Sequence, residues 1–262
     1  DFTKIPFDDI VSVGQRTLLY RDLFSISWLL GRFCNYKCSY CWPYARSDRK
    51  DHRPTALNLA TIDEIKRQAR ENGFNSFHFS LSGGEPTFHP GYLDMLQHLA
   101  DDVENTNYTS VHMTTNMSRN MKWHQEYCDI VAQVHRASIT ASFHSEFAKK
   151  EEFADKLLFC MEHDVQVTVN MVLVPEWFDR DWDVAMYFHK RGINVTLKPQ
   201  SDPTASFVVD GYTKEQLVMM QNGMPQRDYT KVLQKETGIK VVRPKPKVGM
   251  WKMDAQNGDD KS

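Results

Sequence analysis

Three cysteines lie within eight residues of one another near the start of the sequence. Cys34, Cys38 and Cys41 have the spacing C-x3-C-x2-C and directly follow the apolar run 24–30. Three thiolates this close, with no fourth ligand nearby in sequence, can bind three irons of a [4Fe–4S] cluster and leave the fourth iron open. An open iron is a position at which a second molecule can bind.

Zinc is the alternative metal, because thiolates also suit Zn²⁺. A structural zinc site needs a fourth Cys or His, and His52 is the nearest candidate. The chain has five cysteines. An odd number with three in one loop is a poor disulfide framework and a good metal framework. Cys128 and Cys160 lie inside helix-like patterns, and we expect them to be buried core residues.

A second motif, Ser-Gly-Gly-Glu-Pro at residues 82–86, follows the next predicted strand. Gly83 and Gly84 suit a backbone that a ligand approaches closely, because a Cβ atom would obstruct it. The two motifs together resemble those of the radical S-adenosylmethionine (SAM) enzymes. The cysteine spacing, with the aromatic Tyr40 before the last cysteine, is similar to the cluster loop of that family, and Gly-Gly-Glu-Pro is similar to its SAM-binding motif.

The resemblance implies two cofactors, a [4Fe–4S] cluster held by the three cysteines and SAM bound to the open iron. One electron from the reduced cluster would cleave SAM to methionine and a 5′-deoxyadenosyl radical, and that radical would remove a hydrogen atom from the substrate. An electron donor such as flavodoxin or ferredoxin is implied as a partner. The cofactors carry this chemistry, and the protein supplies orientation and the exclusion of side reactions.

The resemblance also implies residues around SAM. Tyr40 would lie against the adenine, or would pack the loop onto the barrel. Glu85, through its carboxylate or neighbouring carbonyl groups, would meet the methionine ammonium. The other SAM-binding residues that it implies are Gly83, Gly84, Pro86, Thr115, Asn116, Ser142, Asn170 and Lys198. His144 replaces an Asp that many relatives carry, and we take it as the candidate catalytic residue that addresses the substrate. Relatives often bind the SAM carboxylate with an Arg after the fourth strand, where this chain has Lys149 and Lys150.

Strand-like and helix-like segments alternate from residue 24 to residue 200, at a spacing of about 30 residues. The predicted strands are Ser25–Leu30, Ser76–Leu81, Thr109–Thr115, Ala137–Phe143, Val165–Leu173 and Ile193–Leu197. The predicted helices lie near 60–72, 90–103, 120–133, 147–163 and 180–191. This order predicts an α/β protein with parallel strands, and the resemblance implies an open (β/α)6 partial TIM barrel. Both motifs follow strands, at the edge where such folds bind ligands.

Local signals refine these limits. Thr61 with Glu64 predicts a capping box at the start of the first helix. Gly73 and Gly192 stand where helices would end. We expect three regions: a lead-in at 1–23, the radical SAM core at 24–200, and an irregular extension at 201–262. Within that extension we expect helices at 213–222 and 228–237 and a polar tail.

Charge and hydropathy exclude several classes of protein. The formal net charge is −2, so no basic surface predicts binding to nucleic acid. No apolar run reaches the length of a membrane span, and the first residues lack the pattern of a signal peptide. We therefore expect a soluble, cytoplasmic protein.

The substrate is the least determined part of this prediction. No cysteine follows Cys160, and only about two dozen residues precede the first strand, too few for an independent peptide-binding module. Both features favour a small polar substrate, such as a nucleotide, sugar or amino-acid derivative. One alternative is a maturase of a ribosomally made peptide, cut before an auxiliary-cluster region. The other is a non-catalytic iron–sulfur or zinc protein.

Overall fold

The computed structural model describes residues 22–102 and 108–225, which form one parallel sheet with helices on one face. The strands are β1 (Leu23–Leu29), β2 (Ser76–Ser82), β3 (Tyr108–Thr115), β4 (Arg136–Phe143), β5 (Gln166–Leu173) and β6 (Asn194–Pro199). The helices are α1 (Thr55–Glu71), α2 (Tyr92–Asp101), α3 (Met121–Val131), α4 (Lys150–Glu162), α5 (Phe178–Lys190) and α6 (Lys214–Asn222). Single 3-10 turns occupy Pro86–Phe88 and Pro175–Trp177.

The strands lie in the sheet in the order in which they occur in the chain. Each pairs in parallel with the next, from β1 to β6. Within the described residues the sheet does not close, because β1 and β6 do not pair with each other. The expected α/β fold, an open (β/α)6 partial TIM barrel, is confirmed. Every predicted strand overlaps an observed one, and the ends agree to within two residues.

The outer face of the sheet forms the core with the helices. Alternate residues along the strands, such as Phe77 and Phe79 in β2, are fully buried there. On β4, Phe143 packs edge to face against Phe153 of α4 and Phe188 of α5, with both ring centroids 5.1 Å away. Cys128 and Cys160 are buried in this core. Large apolar side chains at alternate positions therefore attach the helices to the sheet.

The inner face is polar. Its residues on the four central strands include His78, Ser80, Ser82, His112, Thr114, Ser138, Thr140, Thr168 and Asn170, all partly exposed. A closed eight-stranded barrel fills this space with bulky branched apolar side chains. The open barrel here instead presents hydrogen-bonding groups to the space that the sheet curves around.

One local prediction is wrong. Helix α1 begins at Thr55 after Pro54, so Thr61 and Glu64 lie inside it and form no capping box. The Thr61 hydroxyl donates to the Leu57 carbonyl one turn earlier, 2.7 Å away. Helix α1 therefore begins five residues before the predicted start, because residues 55–60 contain no helix breaker.

Helix α6 follows β6 and packs against it. Thr213 caps its first turn with Gln216 in a capping box, and Gly223 ends it with a φ of +67°. The chain divides into two units, Asp1–Met224 and Pro225–Ser262. The predicted lead-in, except for its last two residues, lies outside the described residues, as do the predicted helix at 228–237 and the polar tail. No described helix is long and apolar enough to cross a membrane.

Candidate functional site

The cysteine loop and the glycine motif lie side by side at the carboxyl ends of β1 and β2. The Gly84 N–H donates to the Gly31 carbonyl at 3.0 Å, and the Glu85 N–H donates to the Phe33 carbonyl at 2.6 Å. On its other side the start of the loop pairs with Ser47, whose N–H donates to the Arg32 carbonyl at 2.7 Å. The loop therefore begins as an extended segment held between the glycine motif and residue 47.

The two glycines are required by the chain's own backbone. A Cβ atom on Gly83 would lie 2.4 Å from the carbonyl oxygen of Gly31, and the backbone of Gly83 has a φ of +149°. A Cβ atom on Gly84 would lie 2.3 Å from the carbonyl oxygens of both Arg32 and Phe33. The sequence predicted that a ligand approaches these glycines closely. In the structure, their close neighbour is the backbone segment that leads into the cysteines.

Glu85 is fully buried and accepts four hydrogen bonds. One carboxylate oxygen accepts from the Thr87 N–H and hydroxyl, at 3.3 and 2.6 Å, and from the Thr115 hydroxyl at 2.7 Å. The other accepts from the Asn116 N–H at 2.6 Å. Burial raises the pKa of this carboxyl, and the four donors act in the opposite direction. Both oxygens therefore have partners within the protein, and the contact of the Glu85 carboxylate or its neighbouring carbonyl groups with the methionine ammonium stays a prediction.

Thr115 and Asn116 tie the end of β3 to both motifs. Besides binding Glu85 through its N–H, Asn116 donates its side-chain amide to the Asn35 side chain at 3.0 Å and to the Cys34 sulfur at 3.9 Å. Both side chains are buried. Asn116 therefore holds the cysteine loop in place, whereas Thr115 holds Glu85. The contact of both residues with SAM stays a prediction. Pro86 is buried at the start of the 3-10 turn, a position that needs no N–H donor.

The three thiols of the loop are free and partly exposed. Burial raises the pKa of all three, that of Cys38 to about 12 with the help of the Glu146 charge, so iron binding must displace their protons. Among the described residues, no three Cys, His, Asp or Glu side chains converge on a point that suits a single metal ion. Thiolates that bind three separate irons of a cluster need not converge in that way.

The loop between β4 and α4 contacts the cysteine loop at three places. The Tyr40 hydroxyl and the His144 Nδ1 atom are 2.8 Å apart, and their rings stack with centroids 5.8 Å apart. Tyr36 stacks on Phe147 with centroids 4.9 Å apart. Glu146 accepts hydrogen bonds from Ser39. The sequence prediction included Tyr40 and His144 but missed the others, because no motif pairs residues about 110 positions apart.

A cavity of about 210 Å³ lies at the carboxyl ends of β4, β5 and β6. Five of the predicted residues line it: Tyr40, Ser142, His144, Asn170 and Lys198. Ser142 and Asn170 are neighbours across β4 and β5, and Lys198 pairs with Val172 across β5 and β6. Lys149 and Lys150 lie outside this cavity, at the start of α4, where they pair with Glu152 and Glu151.

A sequence profile described as the radical SAM superfamily matches residues 28–188, more than half of the chain. The chain belongs to the radical SAM superfamily. This family uses a [4Fe–4S] cluster and SAM, and the donor set of the cysteine loop fits that cluster. No curated protein matches the chain.

Two solved structures with a similar fold have AdoMet bound. The structure titled "Native anSMEcpe with bound AdoMet" superposes with a TM-score of 0.53 at 15% identity, over 69% of this chain and 52% of that chain. A second structure, of histidine-tagged anSMEcpe with bound AdoMet, gives 0.52 at 16% identity over the same shares. The chain thus spans about half the length of these structures. At this identity the similarity shows the fold alone.

We expect the enzyme to lose stability between pH 7 and pH 5. Burial lowers the pKa of His124 and of His144 to about 4, so both are neutral in the folded state. The unfolded chain takes up these protons near pH 6.5, so this stability is present above pH 6.5 and is lost as the pH falls towards 4. The free energy of unfolding should fall by about 2 kcal/mol for each histidine between pH 7 and pH 5.

Urea unfolding of the wild type and of His124→Gln at pH 7 and pH 5 measures this effect. The difference between the two pH values should be smaller in the variant, because glutamine does not titrate. His163→Gln, at an exposed histidine just after α4, serves as the control. The same pH dependence in His124→Gln and wild type would contradict the prediction.

Proposed function

We propose that this radical SAM enzyme acts on a small polar molecule, such as a nucleotide, sugar or amino-acid derivative, that binds on the inner face of the sheet. The observation that carries the proposal is the polar character of that face on all four central strands. A polar substrate can hydrogen-bond to these groups in place of solvent, whereas an apolar one would leave their remaining donors and acceptors unsatisfied at a cost in free energy.

A hydrogen-bonded chain crosses the middle of this face. The Ser80 hydroxyl is 2.9 Å from the His112 Nδ1 atom, and the Thr140 hydroxyl is 2.9 Å from the His112 Nε2 atom. Nearer the amino ends of the strands, His78 Nδ1 is 2.8 Å from the Ser110 hydroxyl. Burial lowers the pKa of both histidines, which favours their neutral forms. Neutral imidazoles and hydroxyls both donate and accept, so they suit the uncharged hydroxyl and amide groups of a substrate.

The face continues into the cavity at the carboxyl ends of the strands. Lys198 lies at its rim and is exposed, so a phosphate or carboxylate of the substrate or of SAM would be paired there. His144, neutral and hydrogen-bonded to Tyr40, stands between the cysteine loop and the cavity. When bound, the cluster and SAM would supply the radical chemistry that removes a hydrogen atom from a substrate carbon. The chain's residues orient that carbon and exclude water around it.

The test begins with protein purified without oxygen, reconstituted with iron and sulfide, and given dithionite and SAM. Panels of deuterated nucleotides, sugars, amino acids and peptides are added separately, and 5′-deoxyadenosine is measured by mass spectrometry. We expect one of the three small-molecule classes to raise the yield of 5′-deoxyadenosine and to transfer deuterium into it. A response confined to peptides would contradict the proposal and favour a peptide maturase.

A matched pair of variants on β4 connects this response to the inner face. Thr140→Val removes the hydroxyl that contacts His112 at nearly constant volume, whereas Ile139→Val changes the adjacent, outward-facing core residue. We expect Thr140→Val to reduce the response to the active compound at least tenfold and Ile139→Val to leave it near the wild-type value. Equal responses in the two variants would place the substrate elsewhere.

A further inference from the structure

Glu146 binds the turn between the second and third cysteines. Its carboxylate accepts the Ser39 N–H at 2.8 and 3.3 Å through its two oxygens and also accepts the Ser39 hydroxyl. Ser39 follows Cys38 directly, and the Cys41 N–H closes the turn onto the Cys38 carbonyl at 3.1 Å. One side chain from beyond β4 therefore holds the backbone beside two of the three iron ligands.

The position of Glu146 is itself fixed by its neighbours. The preceding His144 is bonded to Tyr40, and the following Phe147 stacks on Tyr36. Ser145 donates a hydrogen bond to the buried Asp181 of α5 at 3.0 Å. Four consecutive residues thus make contacts on different partners, and the carboxylate reaches Ser39 from a well-anchored segment.

The charges around the loop are unevenly placed. Arg46 is the cation whose charge acts on Cys34 and Cys41, and it is also paired with Asp48 at 2.7 Å. Glu146 is the anion next to the turn that contains Ser39, and no described cation lies within ion-pair distance of it. A negative charge near a cluster opposes the addition of an electron. The reduction potential of a cluster also depends on hydrogen bonds to its sulfurs, and the Ser39 N–H already binds the carboxylate.

We propose that Glu146 is a positioning residue for the cysteine loop and that its carboxylate lowers the reduction potential of the bound [4Fe–4S] cluster. A lower potential makes the reduced cluster a stronger electron donor to SAM. None of the residues involved lies on the inner face, so the inference holds whichever substrate the enzyme uses.

The test is an EPR-monitored redox titration of the reconstituted enzyme without SAM. Glu146→Gln removes the charge but keeps an oxygen that can accept the Ser39 N–H, so we expect full iron content and a more positive midpoint potential. Glu146→Asp keeps the charge on a shorter side chain, and its midpoint should stay close to that of the wild type. Because the shorter side chain binds Ser39 less well, we also expect Glu146→Asp to lose iron faster in air than the wild type.

Glu162→Gln is the control, because it removes the same charge at the far end of α4. That helix is about 20 Å long, which is roughly two Debye lengths at physiological salt. The midpoint potential of Glu162→Gln should therefore equal that of the wild type. An unchanged midpoint in Glu146→Gln, or the same shift in Glu162→Gln, would overturn the effect of the charge. If Glu146→Gln takes up no iron, Glu146→Asp decides: faster iron loss than in the wild type supports the positioning role, and wild-type iron retention overturns it.

Discussion

Replacing Gly84 with valine is expected to remove most of the iron from the protein. The Cβ atom of the new side chain would lie 2.3 Å from two backbone carbonyl oxygens of the segment that leads into Cys34. Neither backbone atom can move aside as a flexible side chain would, so the whole segment must shift. We expect the iron content of Gly84→Val to fall towards that of Cys38→Ala, which lacks one iron ligand. Iron and sulfide analysis after reconstitution measures the iron content of the two variants and the wild type.

Gly73→Asn is the matched control for this variant. Gly73 also has a positive φ, +85°, but nothing lies within 4 Å of the position that a Cβ atom would take. Asparagine tolerates that backbone conformation better than most residues other than glycine. The iron content of Gly73→Asn should therefore equal that of the wild type. A Gly84→Val protein with full iron and weakened SAM binding would show that the glycine serves the ligand and not the loop.

Removal of the Glu85 side chain is expected to destabilise the fold by about 3–5 kcal/mol. Glu85→Ala would leave the Thr115 hydroxyl and the Asn116 N–H buried without their acceptor, and each unsatisfied group costs about 1–3 kcal/mol. Urea unfolding of reconstituted protein at pH 7 measures the change. Asn116 would also lose its anchor beside Cys34, so we expect the cluster to be lost at lower urea than in the wild type.

Glu64→Ala provides the comparison for Glu85→Ala. Glu64 lies on α1, where it pairs with Arg67 at the surface, and exposed ion pairs contribute little to stability. The free energy of unfolding should therefore change far less than in Glu85→Ala. Similar values for the two variants would mean that the four hydrogen bonds of Glu85 do not stabilise the fold.

The sequence predicted the parts of this structure that depend on local patterns. The six strands follow from alternating residues, and the cysteine spacing and glycine motif lie at adjacent strand ends because consecutive parallel strands place their carboxyl ends together. The start of α1 was missed, since Thr61 and Glu64 satisfy the capping pattern equally well inside a helix. The internal role of Glu85 was also missed, because its partner Thr115 is 30 residues away along the chain.

Contacts between distant loops were beyond any sequence pattern. Glu146 is the one acidic residue between β4 and α4, but no sequence pattern connects it to Ser39, and only the fold brings the two together. Tyr40 and His144 were both predicted as site residues, but the contact between them was not. In each case the missing information was which loops meet above the sheet, and that depends on the curvature of the whole barrel.

The alternation of polar and apolar residues along the strands restricts how this enzyme can evolve. Residues on one strand alternate between the core and the inner face, so the gain or loss of a single residue within β3 would bring His112 into the core and Val111 out of it. A two-residue change preserves the faces but moves the end of the strand by about 7 Å, away from Glu85. Insertions and deletions are therefore expected to accumulate in the loops at the amino ends of the strands, where neither constraint applies.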